Sequence, residues 1–196
     1  MKRNIAVFLD RDGTINEEVG YLSRLEDLRL IPRAAEAVRL INQSGMKAVV
    51  ISNQSGVARG FFTETFVGIV HARLAEMLHQ KNAVIDRFYF CPHHPTEGSD
   101  PFRTVCSCRK PEPGMLLKAA MELNIDLARS YMVGDMPKDI ETAERVNAVG
   151  ILVKTGYGKN ATGSMIPAYV ADDLFDAVQW ILKDRTNFRH PKHVEG

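Results

Sequence analysis

The sequence has little cysteine: three residues in 196, Cys91, Cys106 and Cys108. An odd count confined to one short window argues against a disulfide framework and for thiols gathered around a metal. Neither sign of charge is in excess, with 25 Lys and Arg facing 24 Asp and Glu. The global field of a nucleic-acid or membrane-surface binder is therefore missing, and a small-molecule partner is expected. Long apolar runs are also lacking. The opening MKRNIAVFLDRDG carries five consecutive apolar residues before Asp10, too few for a secretory signal or a membrane span, so a cytoplasmic protein is expected. No apolar helix stripe is left to spare, which makes a monomer the expectation. What is present, 45% hydrophobic and 25% charged residues, suits one soluble domain with a buried core and leaves little room for a second.

The chain alternates between strand and helix patterns. Short, almost wholly apolar runs at Ile5–Leu9, Lys47–Ser52, Ile85–Phe90, Tyr131–Val133 and Gly150–Val153 read as strands buried on both faces of a parallel sheet. Helices are expected from Pro32 to Gly45, from Thr63 to about Gln80, over Pro113–Leu123 and Lys138–Asn147, and over Asp172–Leu182. This predicts an α/β protein with a doubly wound parallel sheet and ligands at the strands' carboxyl ends. One domain over 1–184, with a cysteine-bearing loop at 91–109, and a frayed tail over 185–196 complete the expected organisation. The glycine-rich Thr155–Ser164 lacks nucleotide-loop spacing and reads as an ordinary loop.

Asp10 and Asp12 follow the first apolar run in FLDRDGTIN, Ser52 and Asn53 end the second strand, and Gly134-Asp135 ends another. Each alone is ordinary turn chemistry, but three strand ends can converge on one rim. A carboxylate attacking a phosphate ester sets anion against anion, and a bound divalent cation offsets that repulsion. Asp10 is the candidate nucleophile, and Asp12 the acid that protonates the leaving oxygen and then the base that activates water. Asp135 gives the cation a second carboxylate, which favours Mg²⁺. Ser52 offers a hydroxyl, Lys110 a mobile point charge and Arg109 a planar fork for a second anionic group. Arg11 is expected to point away from the acids.

Cys91-Pro92-His93 and Cys106-Ser107-Cys108 supply three thiolates and an imidazole, the number needed for tetrahedral Zn²⁺. Residues i and i+2 of an extended segment project to the same side and can chelate. Four protein ligands leave no open position, so this ion organises a loop and takes no part in catalysis.

The strings DRDGTIN, ISNQSG around Ser52, CRKPEPGM around Lys110, and Gly134-Asp135 with Asp139 resemble the four motifs of the haloacid dehalogenase superfamily of phosphohydrolases. Over nearly the whole chain the closer likeness is to its heptose bisphosphate phosphatase branch, through SNQSGVARG, CPHHP, CxCRKPxPGM and YMVGD. The resemblance implies removal of the 7-phosphate from a heptose 1,7-bisphosphate on the route to nucleotide-activated heptose. It also implies the Asp12 carbonyl as an Mg²⁺ ligand, His93 as the zinc ligand with His94 facing another way, and no large cap. Glu18, Val19, Gly20 and Tyr21 match the family's substrate loop, and Asn53, Gln54 and Ser55 its second substrate-contacting stretch. Met136 departs from the family, whose lysine there touches substrate; Lys138 follows two residues later. Histidinol phosphate is the alternative substrate, and a catalytically dead zinc-loop binding module the alternative class.

Overall fold

The computed structural model describes residues 3–161 and 166–189. Strand β1 (Ala6–Leu9) is buried at every position because neighbours cover both its edges and both its faces. On one side it pairs with β2 (Lys47–Asn53), which pairs with β3 (Arg87–Cys91). On the other it pairs with β4 (Tyr131–Gly134), followed by β5 (Val149–Val153) and β6 (Tyr169–Ala171). The strand order is β3-β2-β1-β4-β5-β6, with every pair parallel. A parallel strand in that position is apolar throughout, which explains the unbroken run before Asp10.

Five helices cover the sheet: α1 (Ala34–Gln43), α2 (Glu64–His79), α3 (Gly114–Glu122), α4 (Pro137–Glu144) and α5 (Leu174–Arg189). The two-residue period of β1 divides the core between its faces. Val7 and Leu9 join Val38 and Ile41 of α1, Leu74 of α2 and Val178 of α5, whereas Ala6 and Phe8 join Leu116 of α3 and Ala143 of α4. The chain winds outward from β1 to β3 and then returns to start β4 on the other side of β1. Connections therefore leave β1 and β4 in opposite directions, which opens a crevice at their carboxyl ends. No large cap covers it, and none of the described helices is long and apolar enough to cross a membrane.

The elements differ from expectation at two places. Strand β6, only three residues long, gives no sequence signal of its own and forms by pairing with β5. Helix α5 runs on to Arg189, into the stretch that reads as a tail. Tyr131 donates to Asp184 Oδ2 at 2.9 Å and Arg185 to the Ser44 carbonyl at 2.7 Å, which tethers the extra turns to β4 and to the end of α1. The remaining tail residues and the end of the glycine-rich stretch, 162–164, lie outside the described residues.

Candidate active site

The three strand ends meet. Asp10 leaves β1, Asp135 leaves β4, and one carboxylate oxygen from each, with one from Asp139 of α4, lie within 4.8 Å of one another. All three residues are buried. Lys110 reaches them from the segment before α3. Its ammonium lies 2.9 Å from Asp10 Oδ1 and 2.7 Å from Asp139 Oδ1 and donates to the Ile51 carbonyl at 3.0 Å. Asp139 is fixed by its place in the first turn of α4, where Oδ2 accepts the Met136 N–H at 3.0 Å. The sequence names Asp139 within a motif but gives it no task; here it orients Lys110.

Three buried carboxylates crowd together and one ammonium pairs with two of them, Asp10 and Asp139, and the electrostatics follow. Burial raises Asp10 above the usual carboxylate range, with Lys110 opposing and Asp139 reinforcing the shift. Burial and the Asp10 charge push Asp135 up to about 7. Burial alone would lower Lys110, but Asp10 and Asp139 outweigh it and hold the ammonium above its ordinary value. A cluster of buried oxygens short of positive charge is the donor set a hard divalent cation prefers.

Asp12 is treated differently. Arg11 is fully buried and folds back on Asp12 at 2.8 Å, contrary to the expectation that it points away. A guanidinium displaced from water needs acceptors, and both Asp12 carboxylate oxygens and Gln54 Oε1 supply them. Asn16 donates to Asp12 Oδ1 and Gln54 to Oδ2. Burial would raise Asp12, but Arg11 and these hydrogen bonds prevail and lower it. Its carboxylate stands outside the cluster of three. Gln54 also donates to Ser52 Oγ at 2.7 Å, so the Ser52 hydroxyl proton is free for another acceptor. The Asn53 side chain exchanges two 3.0 Å hydrogen bonds with the Lys110 backbone, pinning Lys110 to the end of β2.

The glycine-rich stretch closes the other side. Thr155 donates to the Gly13 carbonyl at 2.6 Å and the Tyr157 N–H to Asp135 Oδ2 at 2.8 Å. Gly13 takes φ +77°, and a Cβ there would strike Asp135 and crowd Gly156. This buttress is invisible in the sequence, where nothing ties Thr155 to Asp10.

Around this floor lies a cleft of roughly 310 Å³. Glu18, Gly20 and Tyr21 line it, together with Asn53, Gln54, Ser55 and Arg109. Val19 does not line it and is half exposed. The loop is braced by the Glu18 carboxylate accepting the Gly20 N–H and by Tyr21 packing edge-on against Phe61 at 4.7 Å. Met136 and Lys138 both face the cleft, as do Arg59 and His94. From the sequence, His94 is set aside as a zinc ligand and given no other task, and the only early signal of Arg59 is its place inside SNQSGVARG.

Cys91, His93, Cys106 and Cys108 form a second group whose ligand atoms lie within 4.8 Å of one another, and His94 is not among them. The sulfurs of Cys91 and Cys108 are 3.0 Å apart, and His93 Nδ1 is 3.4 Å from Cys108. The hydrogen bond between Cys91 and Cys108 holds the Cys108 thiol down and pushes Cys91 up. Three thiols and an imidazole nitrogen facing inward fit a tetrahedral soft-ligand metal. The group stands beside Arg109, which donates to the His93 carbonyl at 3.0 Å.

A family model for HAD-hydrolase-like proteins matches residues 107–177. The D-glycero-D-manno-heptose-1,7-bisphosphate 7-phosphatase of Thermosynechococcus vestitus is 46% identical over 186 residues, which cover 90% of this chain and 94% of that one. The D-glycero-beta-D-manno-heptose-1,7-bisphosphate 7-phosphatase of Escherichia coli K12 is 40% identical over 181 residues, covering 92% and 95%. Among solved structures, the D,D-heptose 1,7-bisphosphate phosphatase of B. bronchiseptica, complexed with magnesium and phosphate, matches with a TM-score of 0.83 and 30% identity over 92% of this chain and 99% of that one.

Proposed function

This chain belongs to the haloacid dehalogenase superfamily and is a phosphoric monoester hydrolase, and from that premise we propose that it removes the 7-phosphate of D-glycero-D-manno-heptose 1,7-bisphosphate through an aspartyl-phosphate intermediate. The observation that carries the reading is the meeting of Asp10, Asp135 and Lys110 at the rim of the β1/β4 crevice, with Asp12 alongside. Asp10 attacks phosphorus while the bond to the sugar oxygen breaks, and Asp12 delivers a proton to that oxygen. An arriving phosphate ester brings negative charge next to Asp12 and raises its proton affinity, which offsets the pull of Arg11. Asp12, now a carboxylate, takes a proton from water as the water attacks the aspartyl phosphate. Inorganic phosphate leaves and Asp10 is restored.

Lys110 and the free Ser52 proton answer the charge on the equatorial oxygens. Asp10 and Asp135, with the Asp12 carbonyl, would hold Mg²⁺, which when bound supplies the positive charge that lets carboxylate and phosphate approach. Cys91, His93, Cys106 and Cys108 would hold a structural Zn²⁺ that orders the segment bearing Arg109 and Lys110. Arg109, with the Glu18–Tyr21 loop and Asn53, Gln54 and Ser55, would meet the rest of the substrate. The chain is then a cytoplasmic monomer acting on a small sugar bisphosphate that feeds nucleotide-activated heptose, with no nucleic-acid or membrane partner.

Phosphate release should be measured with Mg²⁺ on the heptose bisphosphate, its monophosphates and histidinol phosphate. The expected result is a kcat/KM for the bisphosphate at least about ten-fold above every other substrate, the worth of one charge-assisted contact. Faster turnover of histidinol phosphate would replace the substrate, and no turnover of any ester would replace the class.

A further inference from the structure

Two cleft-lining side chains have no part in the chemistry above. His94 Nδ1 accepts the backbone N–H groups of Glu97 at 2.9 Å and Thr96 at 3.3 Å. A ring nitrogen that accepts carries no hydrogen, so the imidazole proton sits on Nε2. That nitrogen lies 3.4 Å from NH2 of Arg59, which is also a donor. Two donors at this distance cannot bond each other, yet both can reach one acceptor placed beside them. Arg59 Nε–H is buried without an acceptor among the described residues. The nearby Glu97 carboxylate is 3.7 Å from NH1 and more than half exposed, so water screens it and it does not neutralise the guanidinium. Arg109, on the same cleft, is tied to the His93 carbonyl, one residue before His94. Tyr21 carries Arg59 over its ring at 5.9 Å, which helps hold the guanidinium in place.

We propose that Arg59 and His94 are specificity residues that, together with Arg109, converge on the phosphate that is not hydrolysed. This deepens the bisphosphate reading above and rests on it. The phosphate under attack has Lys110 and Ser52 as its donors, so a monophosphate leaves Arg59 and His94 facing each other with no acceptor between them. A second phosphate supplies oxygens for both.

The test compares kcat/KM for the heptose 1,7-bisphosphate with that for p-nitrophenyl phosphate in Arg59→Met, His94→Phe and His94→Gln. The ratio should fall about ten-fold or more in Arg59→Met and His94→Phe, chiefly through KM, because each loses a charge-assisted or buried hydrogen bond. In His94→Gln an amide N–H can stand near the place of Nε2–H, and the ratio should be largely kept. A loop that merely collapsed would depress both substrates together, and that result overturns the proposal. Glutamine losing as much discrimination as phenylalanine also overturns it. If the wild-type protein strongly prefers the bisphosphate but the variants keep the wild-type ratio, only this inference fails. If the wild-type protein gains nothing from the second phosphate, the bisphosphate reading fails and takes the inference with it.

Discussion

Asp10 and Asp12 are one residue type in two surroundings, and in the free protein each is biased away from the form its task needs, so bound cation and substrate charge must reverse both. Burial raises Asp10 toward neutrality in the free protein, whereas Arg11, Asn16 and Gln54 keep Asp12 ionised. Asp10→Asn should lower turnover by at least about a thousand-fold, the scale seen when a nucleophile is removed. Asp12→Asn should still be phosphorylated by an activated aryl phosphate but dephosphorylate slowly, so intact-mass measurement should find a phospho-adduct in it and none in Asp10→Asn. Full activity in Asp10→Asn would end the mechanism. Gly13 is constrained twice, by φ +77° and by Asp135 and Gly156 beside its Cα. Gly13→Ala should cost about 1–2 kcal/mol for the left-handed conformation alone. By displacing Asp135 it should also raise the Mg²⁺ concentration needed for half-maximal rate; an unchanged Mg²⁺ dependence would separate Gly13 from the cation site. Asp10, Ser52 and Asp135 were legible as a group because each ends an apolar run. Arg11 was not, since sequence alternation says nothing of a guanidinium that turns back to find its counter-charge.

The elements divide between those the sequence announces and those that need a partner. The central strands and α1 to α4 carry their own periodicity and fall within a few residues of expectation. Strand β6 and the last turns of α5 depend on β5, Asp184 and Arg185, contacts that no local pattern encodes. The cysteine loop was legible from spacing, but its mechanical link to the cleft, through Arg109 on the His93 carbonyl and Asn53 on the Lys110 backbone, was not. Brief EDTA treatment should abolish activity and added Mg²⁺ restore it, because carboxylate-held ions exchange readily while thiolate-held zinc persists. In Cys106→Ser, elemental analysis should find zinc lost, and Mg²⁺ should not rescue the rate. A zinc-free wild-type protein alongside a fully active Cys106→Ser would remove the structural metal and leave the aspartate chemistry untouched.

For the whole molecule, alternation implied a parallel doubly wound sheet, and the comparison with solved structures agrees. It did not supply the strand order, which depends on how β4 returns past β1. One buried group reports on the stability of the whole. His71 on α2 is stacked at 4.8 Å on Phe88 of β3. Burial, then the charge of Arg11, lowers its pKa to about 3. The unfolded chain binds a proton there near pH 6.5 and the folded chain does not, so this contribution is present above that pH and is lost as pH falls toward 3. The slope approaches about 1.4 kcal/mol per pH unit. Urea midpoints at pH 7 and pH 5 should converge in His71→Leu relative to wild type; an unchanged difference would assign the acid sensitivity elsewhere.

Lys110 has consequences after the chemistry is over. In the free protein its ammonium lies against the Asp10 and Asp139 carboxylates and donates to the Ile51 carbonyl. Inorganic phosphate left in the cleft must compete with two carboxylates for that one ammonium, and it has no sugar or second anion to anchor it. Product should therefore escape easily and inhibit weakly, and Asp139→Asn, by freeing part of the lysine's charge, should make phosphate a markedly stronger competitive inhibitor of the same enzyme.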